Sequence, residues 1–144
     1  MNHGWSLQID RWRRVREDCN RFSPWRTTPF LLVNSARVPS SSGVYALCAP
    51  SNRPTAPRHL LDAIYSPIYI GRSDDLRRRF IEHIRRPQPL IDEAVRTFSG
   101  LDYWYCVVDE HQTASFEAQL IDCLGPSANR IRGLVATLGP AQPA

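Results

Sequence analysis

Two short apolar runs constrain this chain more than any other feature. Gly43-Val44-Tyr45-Ala46-Leu47-Cys48 and Pro67-Ile68-Tyr69-Ile70-Gly71 are both too brief for buried helices, and glycine, proline or serine brackets each of them. Runs of that length and character read as strands of a small sheet. Pro67 stands at the start of its run, where no ladder hydrogen bond is lost. Ser73-Asp74-Asp75 follows at once, and then Leu76, Phe80 and Ile84 recur at i, i+4 and i+8. That spacing predicts an amphipathic helix with Ser73 as its N-cap and two aspartates in its first turn. Arg85 and Arg86 suit its last turn, and Pro87 and Pro89 stop it.

The rest of the chain supplies partners for these elements. A second helix is expected from about Leu90 to Phe98, with Gly100 as its C′ residue. Leu101 to Val108 reads as a strand carrying Tyr103, Trp104 and Tyr105. The final helix is expected to begin near Thr113, with Phe116, Leu120, Ile121 and Leu124 on its apolar face and Gly125-Pro126 at its end. Phe30-Leu31-Leu32-Val33 is a short apolar patch that suits a strand or a buried turn. Near the N-terminus Trp5, Ile9, Trp12, Cys19 and Phe22 recur at helical spacing, with arginines on the other face. The order strand, strand, helix, helix, strand, helix, behind an N-terminal helix, predicts an α/β fold with helices covering a small sheet. The expected division is an N-terminal helical extension and linker over 1–42, a domain over 43–131 and a loose tail over 132–144.

Composition narrows the function classes. At 144 residues, with 42% hydrophobic and 22% charged residues, the chain is one domain with an ordinary core. All 18 basic residues are arginine and the net charge is +4. The missing lysine fits arginine-rich coding, while the positive balance favours a polyanionic partner. Cys19, Cys48, Cys106 and Cys123 form no C-x-x-C pair, so they read as free buried thiols rather than zinc ligands. No apolar stretch has the length of a membrane span, and no signal-peptide core is visible, so no membrane partner and a cytoplasmic setting are expected.

Three features carry chemistry. Tyr45 and Tyr69 occupy similar places on two strands, so pairing those strands points both phenols at one spot. Arg79 and His83 are one helical turn apart, beside the apolar stripe of the helix, whereas Arg77 and Arg78 suit its solvated face. Glu117 borders the apolar face of the final helix, and Asn129 follows that helix. Taken singly, each has a plain structural explanation: a packed tyrosine, a solvated basic face, a surface carboxylate.

Taken in order, these residues resemble the GIY-YIG nuclease domain family. Gly43-Val44-Tyr45 is similar to the GIY element, with valine for isoleucine, and Tyr69-Ile70-Gly71 is an intact YIG element. The passage from Tyr69 through Arg79 to His83, and that from Glu117 to Asn129, resemble the family's following segments. The likeness spans about residues 43–131. It departs from the family in the connection between the tyrosine strands, which carries an insertion around 50–65. It also brings no recognisable DNA-binding domain.

The resemblance implies a three-stranded antiparallel sheet flanked by helices. It also implies a metal-dependent endonuclease that leaves 5′-phosphate and 3′-hydroxyl ends, acting on nucleic acid, with DNA favoured over RNA. Tyr45, Tyr69, Arg79, His83, Glu117 and Asn129 become the expected catalytic residues. Glu117 is the expected ligand of Mg²⁺ or Mn²⁺, and Tyr45 the candidate base. Arg72, Arg78 and Arg86 are looser candidates for substrate phosphates. The rival expectation is a nucleic-acid-binding or docking subunit that does not cut. The amphipathic N-terminal helix offers such a subunit a protein partner or a second copy of the chain.

Overall fold

A computed structural model describes residues 24–50 and 67–124 of the chain, together with Arg13, Glu17, Arg21 and Phe22. The expected N-terminal helix, the insertion between the tyrosine strands, Asn129 and the expected tail lie outside the described residues, apart from isolated positions.

The sheet has four antiparallel strands, not three. β1 is Arg26–Pro29, β2 Gly43–Cys48, β3 Pro67–Ser73 and β4 Asp102–Val107, in the order β1-β4-β2-β3. The additional strand, β1, is four residues long with only Thr28 buried, so it lacks the apolar run that marks a strand in sequence. Pairing with β4 defines it, Arg26 opposite Tyr105 and Thr28 opposite Tyr103. Pro29 ends it, and Leu32–Arg37 then turns as a 3-10 segment. The apolar patch expected here to be a strand or buried turn is therefore mostly on the surface: Phe30 is buried, while Leu31, Leu32 and Val33 are exposed.

β2 lies between β3 and β4 and is buried on both faces, which explains its nearly continuous apolar run. Tyr45 and Leu47 point to one face of the sheet, where they join Tyr69, Tyr103, Tyr105, Leu76, Phe80 and Ile91. Val44, Ala46, Ile70 and Cys106 point to the other, against Phe116 and Leu120. Two helices, α1 (Leu76–Arg85) and α2 (Pro89–Thr97), cover the first face, and α3 (Glu110–Leu124) covers the second.

Helix boundaries differ from the sequence expectation in ways that local chemistry explains. The N-cap of α1 is Asp75, whose carboxylate accepts from the Arg78 N–H at 3.1 Å. Ser73 instead closes the preceding turn, its hydroxyl accepting the Asp75 N–H at 3.0 Å. No acidic residue is left in the first turn of the helix. α2 ends in a Schellman motif, with Gly100 N–H donating to Val95 O at 2.8 Å. The residue in the left-handed region just past its cap is Ser99, at φ 55°, rather than glycine, and Gly100 follows at φ 120°. α3 begins at Glu110, a turn earlier than Thr113. Among the described residues Cys48 and Cys106 are free thiols, and no helix is long and apolar enough to cross a membrane.

Candidate active site

β2 and β3 bring the two tyrosines together through their register. Tyr45 lies opposite Gly71, and Leu47 opposite Tyr69. Both phenols therefore share one face, with ring centroids 6.1 Å apart. Gly71 makes this possible, because a Cβ there would fall 2.5 Å from Tyr45 Cζ and 2.9 Å from a Tyr69 ring carbon. The glycine of the second motif is thus the floor on which the Tyr45 ring rests. Gly43 has a similar duty below α1, since a Cβ on it would lie 2.7 Å from Leu76 Cδ1.

His83 enters this pair from α1. The buried stripe of the helix is Leu76, Phe80 and His83, so the histidine sits within the packed face rather than at its margin, while Ile84 is only partly buried. Its ring packs edge-on against both tyrosines, 5.4 Å from Tyr45 and 5.5 Å from Tyr69. The Tyr45 hydroxyl and His83 Nε2 are 2.6 Å apart. Burial, with the Arg79 guanidinium adding to it, pushes the imidazole down to about 4. The ring is therefore neutral at pH 7, and with its proton on Nδ1 it accepts the Tyr45 O–H at Nε2. Burial pushes the Tyr45 phenol up, the Tyr69 phenol adds to that, and Arg79 opposes it.

Arg79 stands at the rim, partly exposed. Its guanidinium interacts with the Tyr45 phenol, which raises its own pKa, and its Nη1 donates to Glu82 Oε2 at 3.0 Å. One helix turn thus delivers a cation at the surface and a neutral base beneath it.

Tyr103 belongs to the same cluster and was given no role by the sequence. Its ring stacks on Tyr45 at 5.4 Å, and its hydroxyl is buried without a hydrogen-bond partner among the described residues. The alternation of Tyr103 and Tyr105 on β4 is the signal that places them on the tyrosine face; nothing in the sequence says which face that is.

Glu117 is separate from this cluster. It projects from α3, on the opposite face of the sheet, with a side chain one-quarter exposed, and meets Arg72 Nε of β3 at 3.5 Å. The two groups border the same edge strand: Tyr69 and Gly71 serve one face of β3 and Arg72 the other. Of the remaining candidates, Arg78 is exposed and paired to Asp74, just before its helix, and to Glu82 within it. Arg86 caps α1 at the surface. Asn129 lies outside the described residues.

The donor set around Glu117 decides which cation would suit it. Among the described residues no three His, Cys, Asp or Glu side chains converge. One carboxylate with solvent beside it fits a hard ion that keeps several waters, as Mg²⁺ does, and does not fit a tetrahedral zinc centre.

The described residues thus form an antiparallel sheet with helices on both faces and a Tyr-Tyr-His-Arg cluster between β2, β3 and α1. No protein-family model and no curated protein matches the chain. Solved structures do. The chain matches the GIY-YIG N-terminal endonuclease domain of UvrC from Thermotoga maritima, as a point mutant bound to its catalytic divalent cation. That match has 20% identity over 66% of this chain and 89% of that one, with a TM-score of 0.46. The magnesium-bound form of the same domain matches at 20% identity, 66% and 90% coverage and a TM-score of 0.44.

Proposed function

We propose that the chain is a metal-dependent nuclease of the GIY-YIG type, acting on the phosphodiester bonds of nucleic acid, with DNA favoured. The observation that carries this reading is the 2.6 Å contact between the Tyr45 hydroxyl and a neutral His83, enclosed by Tyr69 and rimmed by Arg79. A packing cluster alone gains little from a buried imidazole, whose desolvation is costly. A hydrolase gains a proton path.

In this reading Tyr69 orients the attacking water and Tyr45 receives its proton. Tyr45 passes its own proton to His83 Nε2. Negative charge from bound phosphate raises the basicity of the imidazole, offsetting the depression that Arg79 imposes. Arg79 donates to the phosphate oxygens and stabilises the charge that builds on them. Arg72, Arg78 and Arg86 contact neighbouring phosphates, and Asn129 fixes the closing segment. Glu117 would hold Mg²⁺ or Mn²⁺, which would supply Lewis acidity at the scissile phosphate. The leaving 3′ oxygen takes a proton from solvent, so the products carry 5′-phosphate and 3′-hydroxyl ends.

One observation favours the rival reading of a chain that binds nucleic acid without cutting it. Tyr45 has no exposed surface and Tyr69 only 3%, so water reaches the phenols only when their cover is displaced. A panel of end-labelled single- and double-stranded DNA and RNA with Mg²⁺ separates the two. Cleavage by the natural chain, abolished in Glu117→Ala with the fold retained, is the expected outcome. Binding without cleavage of any substrate establishes the rival, and undiminished cutting by Glu117→Ala removes that residue as the metal ligand.

A further inference from the structure

At the far side of the sheet, between β1, β4 and the 3-10 segment, a cleft of about 350 Å³ is lined by Pro24, Arg26, Arg37, Pro39, Tyr105 and Val107. Its chemistry is uneven. Pro24, Pro39 and Val107 form apolar walls. Arg26 and Arg37 are both exposed, and neither guanidinium has an ion pair or hydrogen bond to a described residue. Most arginines of α1 and α2 behave differently. Arg77 donates to the Val38 and Ala36 carbonyls, and Arg78, Arg79 and Arg96 pair with carboxylates. Two guanidinium groups that no described residue neutralises repel each other on one cleft unless an anion lies between them.

The frame beneath them is fixed. The Tyr105 hydroxyl donates to the Arg37 carbonyl at 3.2 Å, tying the end of the 3-10 segment to β4. Arg77 ties the same segment to α1. Arg26 is held by its pairing with Tyr105 itself. Both guanidinium forks thus spring from anchored backbone, which lowers the cost of ordering them around a ligand. The cleft is also in line with the candidate active site. Arg26 lies opposite Tyr105, Tyr105 opposite Tyr45, and Tyr45 opposite Gly71. Two to three strand spacings separate the two places, about 10–15 Å. One substrate strand reaches both.

We propose that this cleft is a second phosphate site, holding one nucleotide of a bound nucleic-acid strand away from the cleaved bond. The phosphate lies on Arg26 and Arg37, and the sugar or base rests on the proline and valine walls. The proposal rests on the nuclease reading for its ligand, and on the geometry of the cleft for its place.

The test uses the full chain and a labelled single strand of about 20 nucleotides, longer than the usual footprint of a small domain. Affinity is measured across a salt series, with cleavage by the natural chain followed in parallel. Arg26→Gln/Arg37→Gln is expected to weaken binding about tenfold and to lower the salt slope by about 1.4, as for two phosphate contacts on a single strand. A charge-matched control, Arg85→Gln/Arg96→Gln, is expected to lose less than about twofold. If the natural chain cuts while the cleft variant keeps its affinity and slope, the cleft is overturned and the nuclease reading stands. Equal losses in the two double variants reduce the effect to net charge and also overturn the cleft. A natural chain that neither binds nor cuts overturns both.

Discussion

His83 meets two demands that oppose each other. Packing holds it 2% exposed beside Tyr45 and Tyr69, and that burial, with Arg79 nearby, depresses its imidazole to about 4 from an ordinary value near 6.5. The unfolded chain therefore takes up a proton first as pH falls. Folded stability is lost progressively between about pH 6.5 and pH 4, by at most about 3 kcal/mol from this group. Urea titrations over that range are expected to show a shallower pH dependence in His83→Gln than in the natural chain. Identical slopes mean that His83 is not the group responsible. Arg79 has a different kind of role, at the rim rather than in the core. Arg79→Ala is expected to lower the cleavage rate about 10²–10³-fold, the usual loss for one donor to transition-state charge. A change of only a few-fold in single-turnover cleavage assigns Arg79 to surface charge.

At the scale of elements, α1 and the turn after α2 carry the clearest consequences. α1 places Phe80 and His83 on the core side and Arg79 at the rim, so a single helix supplies both the packing and the polar ends of the cluster. The turn after α2 holds Ser99 at φ 55°, a conformation that costs a non-glycine residue about 1 kcal/mol. Ser99→Gly is expected to stabilise the fold by about 0.5–1 kcal/mol in chemical denaturation, without change in any site property. A destabilised variant means that the serine side chain makes a contact worth more than the strain. These features were unevenly legible. β2, β3 and α1 stood out in the sequence because their apolar periodicity is local. β1 did not, because an edge strand with one buried residue has no periodicity of its own. The N-cap of α1 lies two residues beyond the expected Ser73, since Ser73 and Asp75 are both good caps and the turn hydrogen bonds decide between them.

On the scale of the whole molecule, one sheet is shared by two packed layers. Tyr45, Phe80 and Ile91 fill one, and Val44, Phe116 and Leu120 the other. Phe116 anchors the second layer, with the Phe22 ring at 4.7 Å and the Trp25 ring at 6.1 Å. Phe116→Ala is expected to cost about 3–5 kcal/mol. Both layers should melt in one transition, the aromatic near-ultraviolet signal and the helical far-ultraviolet signal falling together. Two separated transitions in the variant show that the tyrosine face folds without α3. The same architecture sets Glu117 and the tyrosine cluster on opposite faces of β3, so a substrate that engages both must pass along that edge strand.

The sequence by itself determined the identity and order of the chemical groups, and for β2, β3 and α1 the elements that bear them. Those are matters of local period, length and capping, which neighbouring residues settle among themselves. Tertiary structure alone decided which groups meet. The register of β2 against β3 set Tyr45 over Gly71, and packing of α1 drew His83 from the helix margin into hydrogen-bond distance of a phenol. It also recruited Tyr103 to the cluster, set Glu117 across the sheet from it, and left Arg26 and Arg37 facing one cleft. Such contacts join residues far apart in the chain, and their geometry depends on how the layers close, which no local pattern encodes.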